Sequence, residues 1–403
     1  MLSKVYNDLI LQIKANKYDF LRFDLIKQDA IKDLAAQLAL KYDIVVVIGF
    51  GASSLNVRAL LSIKAVATKR LIYLDSLDQL EIDEKLALVD LSKAVFFSLS
   101  KSGNTNETYL LTKYVLEVLH VPPQNIYVIV PFSNNLLRNL AESFGTNCLE
   151  HDNIRSGRFG IISNASLLPT AVAGVDVHKV VLAASKKISD IIFDGFNICE
   201  IAEYYLNQYS LNRHMLVMFN YCYQLDGLCR WQQQIIAESL GKNGFGITPI
   251  IAKGTFDQHS QLQLYLEGPD DKFYQVITNK ASSDIRPLSK LACAEGFEGD
   301  ASPRTAAYSN SVTDSSTASL SKSPAEVEFR KRSIEIALTA HANNIYNALD
   351  QVKRPVKLEN FVYIDEQVIV DQIIHVMLST ILIANHLKID PFNQPSVDEY
   401  KKV

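Results

Sequence analysis

The segment Ser98–Thr108, SLSKSGNTNET, sets Ser100, Lys101, Ser102, Asn104 and Thr105 around a single turn, directly after the apolar run AVFFSL. Several hydroxyls and one ammonium then converge where a helix begins near Thr105. The helix start adds free backbone N–H groups and the positive end of its dipole, which together suit a phosphate group. Gly103 lets the backbone come close without a side chain. Asn104 or Thr105 is also an ordinary helix cap, but capping does not require the extra Ser-Lys-Ser. A second loop, GFGASSLN at Gly49–Asn56, leaves another apolar run and offers Ala52 and Ser53. It lacks the third glycine of a dinucleotide fingerprint, and GK[ST] is absent, so a nucleotide fold is not favoured.

Four further stretches hold groups that could do acid–base or anion chemistry. In SGRFG, Ser156–Gly160, Arg158 can aim a planar fork at an oxyanion, although a surface ion pair is the ordinary reading of a lone arginine. In QQQIIAESLGK, Gln232–Lys242, the helical period puts Gln234 and Glu238 on one face, and Gly241 is a natural terminator. Glu238 then falls in the last turn, where the dipole disfavours a carboxylate, the property a general base exploits. A solvated glutamate near Lys242 is the plain alternative. His259, in GTFDQHSQLQL, titrates near neutrality and suits proton transfer. The end of the chain, DPFNQPSVDEYKKV, reads as a rigid turn followed by a basic tip or a frayed terminus.

The elements that must position these groups follow from periodicity. Short β-branched runs recur at 43–48, 70–74, 94–99 and 125–130, with helical stretches at 105–119 and 134–144 between them. Such alternation predicts a doubly wound α/β domain with a parallel sheet. A second unit of the same kind is expected from runs at 214–219, 247–251 and 273–278 and a helix over 225–240. The organisation expected is a helical segment over 1–42, a first α/β domain over 43–175, connector helices and a second α/β domain over 176–350, and a helical segment carrying an active-site tail over 351–403. Within 301–324, 11 of 24 residues are Ser or Thr, so a flexible loop is expected there.

Composition narrows the function classes. With 403 residues the chain can bury a large core without disulfides or structural metal. Forty basic against 44 acidic residues give a net charge of −4, poor for a polyphosphate clamp, so no nucleic-acid partner is expected. No run of about 18 uninterrupted apolar residues occurs and no signal peptide is evident, so no membrane partner is expected and a cytoplasmic setting is. The five cysteines form no CxxC pair and do not cluster with histidines, which fits free thiols and no metal site.

Taken in order, GFGASS, SKSGNTNET, SGRFGIIS, ESLGKNGFG, GTFDQHSQLQL and DPFNQPSVDEYKK resemble the glucose-6-phosphate isomerase family from about residue 43 to the end. The resemblance implies two parallel-sheet sugar-isomerase (SIS) domains, a homodimer with shared active sites, no cofactor and no metal. It implies reversible interconversion of glucose 6-phosphate and fructose 6-phosphate through a cis-enediol. Carried over, the phosphate loop falls on Ser100, Lys101, Ser102 and Thr105, and the first loop on Ala52 and Ser53. The catalytic base falls on Glu238 with Gln234 one turn earlier, and the family arginine on Arg158. The histidine that enters the partner's site falls on His259, and the terminal glutamine and lysine on Gln394 and Lys401. The chain departs from the family pattern at Ala52, Asn104, Ser156 and Gly160. Ala52 replaces a glycine where backbone approaches substrate, so crowding of the sugar is expected. These departures keep open a slow sugar-phosphate-binding relative, and activity on mannose 6-phosphate is a further alternative.

Overall fold

The computed structural model describes residues 2–64, 67–87, 89–194, 198–279 and 324–400. Helix α1 (Leu2–Lys14) and α2 (Gln28–Lys41) lead into β1 (Ile44–Ile48), after which strand and helix alternate. The first sheet comprises β1, β2 (Arg70–Leu74), β3 (Ala94–Leu99), β4 (Ile126–Val130) and β5 (Asn147–Glu150), all parallel, in the order β2-β1-β3-β4-β5. Alternate residues of β1 enter different cores. Val45 and Val47 pack with α2, α3 (Ala52–Leu61) and α7 (Asn164–Val172); Val46 and Ile48 pack with α5 (Asn106–Glu117) and α6 (Leu136–Phe144). A strand covered by helices on both faces is apolar almost throughout, which is why IVVVI and AVFFSL, whose buried Ser98 is bonded to Thr112, read as near-continuous runs.

Helices α8 (Val177–Asp194) and α9 (Ile198–Ser210) lead to a second sheet. It is built from β6 (Met215–Asn220), β7 (Thr248–Lys253), β8 (Lys272–Asn279) and β9 (Val356–Phe361), parallel, in the order β7-β6-β8-β9. Two strands differ from the sequence reading. β5 is only four residues and half-buried, and β9 (VKLENF) carries Lys357 and Glu359 at half-buried positions on the edge of its sheet. Since β9 pairs with β8 from Tyr274–Val356 to Asn279–Phe361, residues 351–403 are not simply a helical segment: their first part completes the second sheet. The Ser/Thr-rich stretch lies outside the described residues except for Pro324, which opens the helix Pro324–Gln351.

One apolar cluster spans both units. Helix α10 (Asp226–Leu240), which follows β6, lies along α3 of the first unit. Their approach is so close that a Cβ at Gly227 would stand 2.3 Å from the Arg58 carbonyl oxygen, so only glycine fits there. The helix Glu366–His386 is long and apolar enough to cross a membrane, although its apolar run is interrupted. Here its middle is buried against α1, α8, α9 and α10, and it serves as a core helix.

Candidate active site

In an open parallel sheet, ligands bind beyond the carboxyl ends of strands where the winding reverses. With the order β2-β1-β3, that point lies between β1 and β3, and the two polar loops noted in the sequence leave those two strands.

The loop after β3 is held open by its own hydrogen bonds. Ser100 is buried; its Oγ lies 3.0 Å from Thr105 Oγ1 and accepts the Gly103 N–H at 3.0 Å. Gly103 has φ +67°, and a Cβ there would lie 2.1 Å from Asn135 Oδ1, so no other residue fits this turn. The Ser102 Oγ accepts the Asn104 N–H. Thr105 occupies the N-cap position of α5 yet caps nothing with its side chain, and Asn104 instead accepts from the Leu136 N–H of α6. The first turn of α5 therefore keeps its donors uncapped beside Ser100, Lys101, Ser102 and Thr105. Lys101 donates to the Arg155 carbonyl at 2.7 Å, tying this loop to the segment that carries Arg158.

Arg158 is 3 % exposed and all its N–H donors are engaged. Nε donates to Ser239 Oγ at 2.9 Å, Nη1 to Glu238 Oε2 at 3.0 Å and Gln394 Oε1 at 3.2 Å, and Nη2 to the Pro391 and Asn393 carbonyls at 2.6 and 3.2 Å. Its backbone is gripped as well: Trp231 Nε1 donates to the Arg158 carbonyl and Asn56 Nδ2 to the Gly157 carbonyl, both at 3.0 Å. Phe392 packs against Tyr18, Phe20 and Phe159, seating the turn that supplies the carbonyls. The lone arginine of the sequence is thus a buried hub, not a surface ion-pair residue.

Glu238 sits in the last turn of α10, partly open to solvent. Oε2 meets Arg158, and Oε1 accepts from Gln234 Nε2 at 2.9 Å. A neighbouring cation therefore opposes the unfavourable helix end. Gln234 Oε1 is buried with no partner among the described residues, an acceptor that a bound hydroxyl would satisfy. The first loop closes on the same place, since a Cβ at Gly51 would lie 3.0 Å from Gln234 Nε2. Gly241 ends α10 at φ −74°, not in the left-handed region; it is required because a Cβ would stand 2.6 Å from the Ala237 carbonyl oxygen.

Ala52 and Ser53 open α3 immediately after this loop. The Ala52 methyl faces Gly157, whose Cβ position is 3.4 Å away, so it packs under the arginine turn. Gly160 is needed because a Cβ would lie 2.9 Å from Ile154 Cδ1, and Ser156 is buried.

His259 stands apart. It lies in the turn after β7, exposed; among the described residues its ring meets Gln258 Nε2 at 3.4 Å and makes no hydrogen bond or ion pair with Arg158, Glu238 or Gln394. Lys401 lies outside the described residues. Residues to which the sequence reading gave no role include Ser239, Trp231, Asn56 and Lys242. Two of these lie inside ESLGK, so the motif held them, while Asn56 and Trp231 carry no signal beyond helical spacing.

A probable glucose-6-phosphate isomerase from Methanococcus maripaludis is 30% identical over 260 residues, covering 61% of this chain and 59% of that protein. The glucose-6-phosphate isomerase of Methanocaldococcus jannaschii is 28% identical over 371 residues, 90% of this chain and 83% of that one. The chain spans little more than half the length of most curated relatives it matches. No family model matches it. A crystal structure of a glucose-6-phosphate isomerase from Chlamydia trachomatis superposes with TM-score 0.65 at 16% identity, covering 93% of this chain and 71% of that one, a likeness of fold. The chain is similar to glucose-6-phosphate isomerases over most of its length.

Proposed function

We propose that this chain interconverts glucose 6-phosphate and fructose 6-phosphate, with Glu238 as the base. The observation that carries the reading is the meeting at Arg158 of Glu238, Ser239 and Gln394, groups 80, 81 and 236 residues away in sequence. The phosphate sits on Ser100, Lys101, Ser102 and Thr105 and the uncapped start of α5, where donors and dipole favour an anion. Ala52 and Ser53 line the opposite loop. A sugar hydroxyl donates to the unpartnered Gln234 Oε1.

Once the ring is open, Glu238 removes the proton from carbon 2. The electron pair of that C–H bond becomes the C1–C2 double bond, and the carbonyl oxygen at carbon 1 becomes the enediol oxygen. Return of the proton to carbon 1, with the carbon 2 hydroxyl proton passing to the oxygen on carbon 1, gives the ketose. One carboxylate serves both carbons, so the step balances without a redox partner. An enediolate oxygen meets Arg158 by taking the Nη1 hydrogen that Gln394 now accepts, and the guanidinium then stabilises the developing charge.

Ring opening falls to His259 and Lys401. His259 does not reach the Glu238 centre of its own chain, which supports a homodimer in which it enters the partner's site. A cytoplasmic setting belongs to the same proposal, supported by four described cysteines that are all unpaired.

The test is a coupled assay of fructose 6-phosphate conversion, with mannose 6-phosphate alongside. Glu238→Gln is expected to keep its fold and substrate binding while kcat drops by about 10²–10⁴. A variant retaining more than about a tenth of the wild-type rate would show that Glu238 is not the base.

A further inference from the structure

Lys242 closes the ESLGK motif but has no part in the chemistry above. Its ammonium donates to the carbonyl of Asp390. That carbonyl opens the same turn whose next acceptors, the Pro391 and Asn393 carbonyls, are held by Arg158 Nη2. Lys242 itself is fixed by a tight turn: its N–H and carbonyl both pair with Phe245. Two cations, one at the end of α10 and one after β5, thus grip a single turn from two sides. Phe392, in the middle of the turn, is seated among aromatic rings. The chain leaving this grip carries Gln394, on Arg158 Nη1, and then the helix Pro395–Tyr400.

We propose that Lys242 is a positioning residue for the reaction proposed above: with Arg158 it pins the Asp390–Asn393 turn and so fixes where Gln394 and the helix after it stand relative to Glu238. The placement of Lys242 works against its own charge. It is half-buried, and the groups facing it are Arg158, which repels it, and Asp390 and Glu238, which attract it. Partial burial and the like charge together hold its ammonium down to about 8. A lysine serving only solubility would point to water, where none of this cost arises. A geometric role explains the cost, because a charge-assisted bond to a carbonyl sets a distance more firmly than a neutral one.

The experiment uses the full-length chain and three proteins: wild type, Lys242→Met and Lys242→Arg. Amide hydrogen exchange is followed over 390–400 and, as an internal reference, over α10 and β6. In Lys242→Met, exchange over 390–400 is expected to quicken about tenfold while the reference amides hold their rates, since one charge-assisted hydrogen bond is lost locally. Lys242→Arg is expected to restore most of the protection. In the same proteins kcat on fructose 6-phosphate should fall about tenfold or more in Lys242→Met, with KM changing less and with partial rescue by arginine. Unchanged exchange over 390–400 overturns the clamp. Faster exchange with unaltered kcat overturns the positioning role. Loss of protection throughout the molecule, or a kcat loss that arginine does not rescue at all, makes Lys242 merely structural. Should the wild type not isomerise the sugar, the functional reading fails, and with it the positioning role; exchange still decides the clamp independently.

Discussion

The loop after β3 and the arginine centre are both polar, yet they are built on opposite plans. Around Ser100–Thr105 the protein leaves donors unused: Thr105 caps nothing, and the first turn of α5 has no side-chain acceptor. Around Arg158 it leaves none, since Ser239, Glu238, Gln394 and two backbone carbonyls use every N–H. A surface loop can keep donors open because water fills them until an anion arrives. A buried guanidinium cannot, because an unpaired charge out of water costs several kcal/mol. On the proposed function, binding falls to the part that stays wet, and geometry to the part that is already assembled.

Breaking the arginine side should have the largest effect. Arg158→Lys keeps the charge but offers three donors in place of five, so at least two of its bonds are lost. Stability should fall by roughly 3 kcal/mol in urea unfolding, and kcat should fall by about a hundredfold or more. A variant of near-normal stability would mean the saturated hub is dispensable. Gly103→Ala attacks the shape of the other side. It forces a left-handed residue and drives a methyl into Asn135, whose Oδ1 caps α6 through the Arg138 N–H. The expected loss is about 1–3 kcal/mol together with a raised KM, and a KM equal to wild type would show that the turn is not part of the binding surface.

A gentler probe separates the two plans. Lys101→Met removes a cation from the open loop without touching Arg158. KM for the sugar phosphate should rise about tenfold with kcat little changed, and the difference should shrink as salt is added. A fall in kcat instead would place Lys101 with the assembled centre. The smallest effect concerns Lys242. Its folded value, about 8, lies below the ordinary 10.5, so the unfolded chain holds more protons between those two pH values. The burden of the charged form is present below about pH 8 and is relieved as pH rises through 10.5. Relative to Lys242→Met, wild type should therefore gain stability over that window, read as a small rise in the difference of urea midpoints. A difference that narrows with rising pH would contradict this.

Much of this was legible in the residues because it is local. Near-continuous apolar runs marked β1, β3 and β4, since strands covered on both faces leave few polar positions. The turn of Ser100–Thr105 before α5 was legible because all its polar groups lie within one turn. β5 and β9 were not legible: a four-residue edge and a charged edge carry no period that distinguishes them from loop. Nor could the sequence show that the Ala52 methyl lies against Gly157, a neighbour 105 positions along the chain.

The amino-acid order by itself determined the strands other than β5 and β9, the helix starts and which motifs carry ionisable groups, for these depend on propensity and spacing within a few residues. Tertiary structure alone decided that Arg158 is a buried hub and not a surface cation, that Lys242 grips a turn 148 residues downstream, and that His259 makes no hydrogen bond or ion pair with the Glu238 of its own chain. Those outcomes depend on how α3 and α10 pack and where the terminal turn comes to rest, and no local pattern encodes the distance between segments that meet only when the core closes.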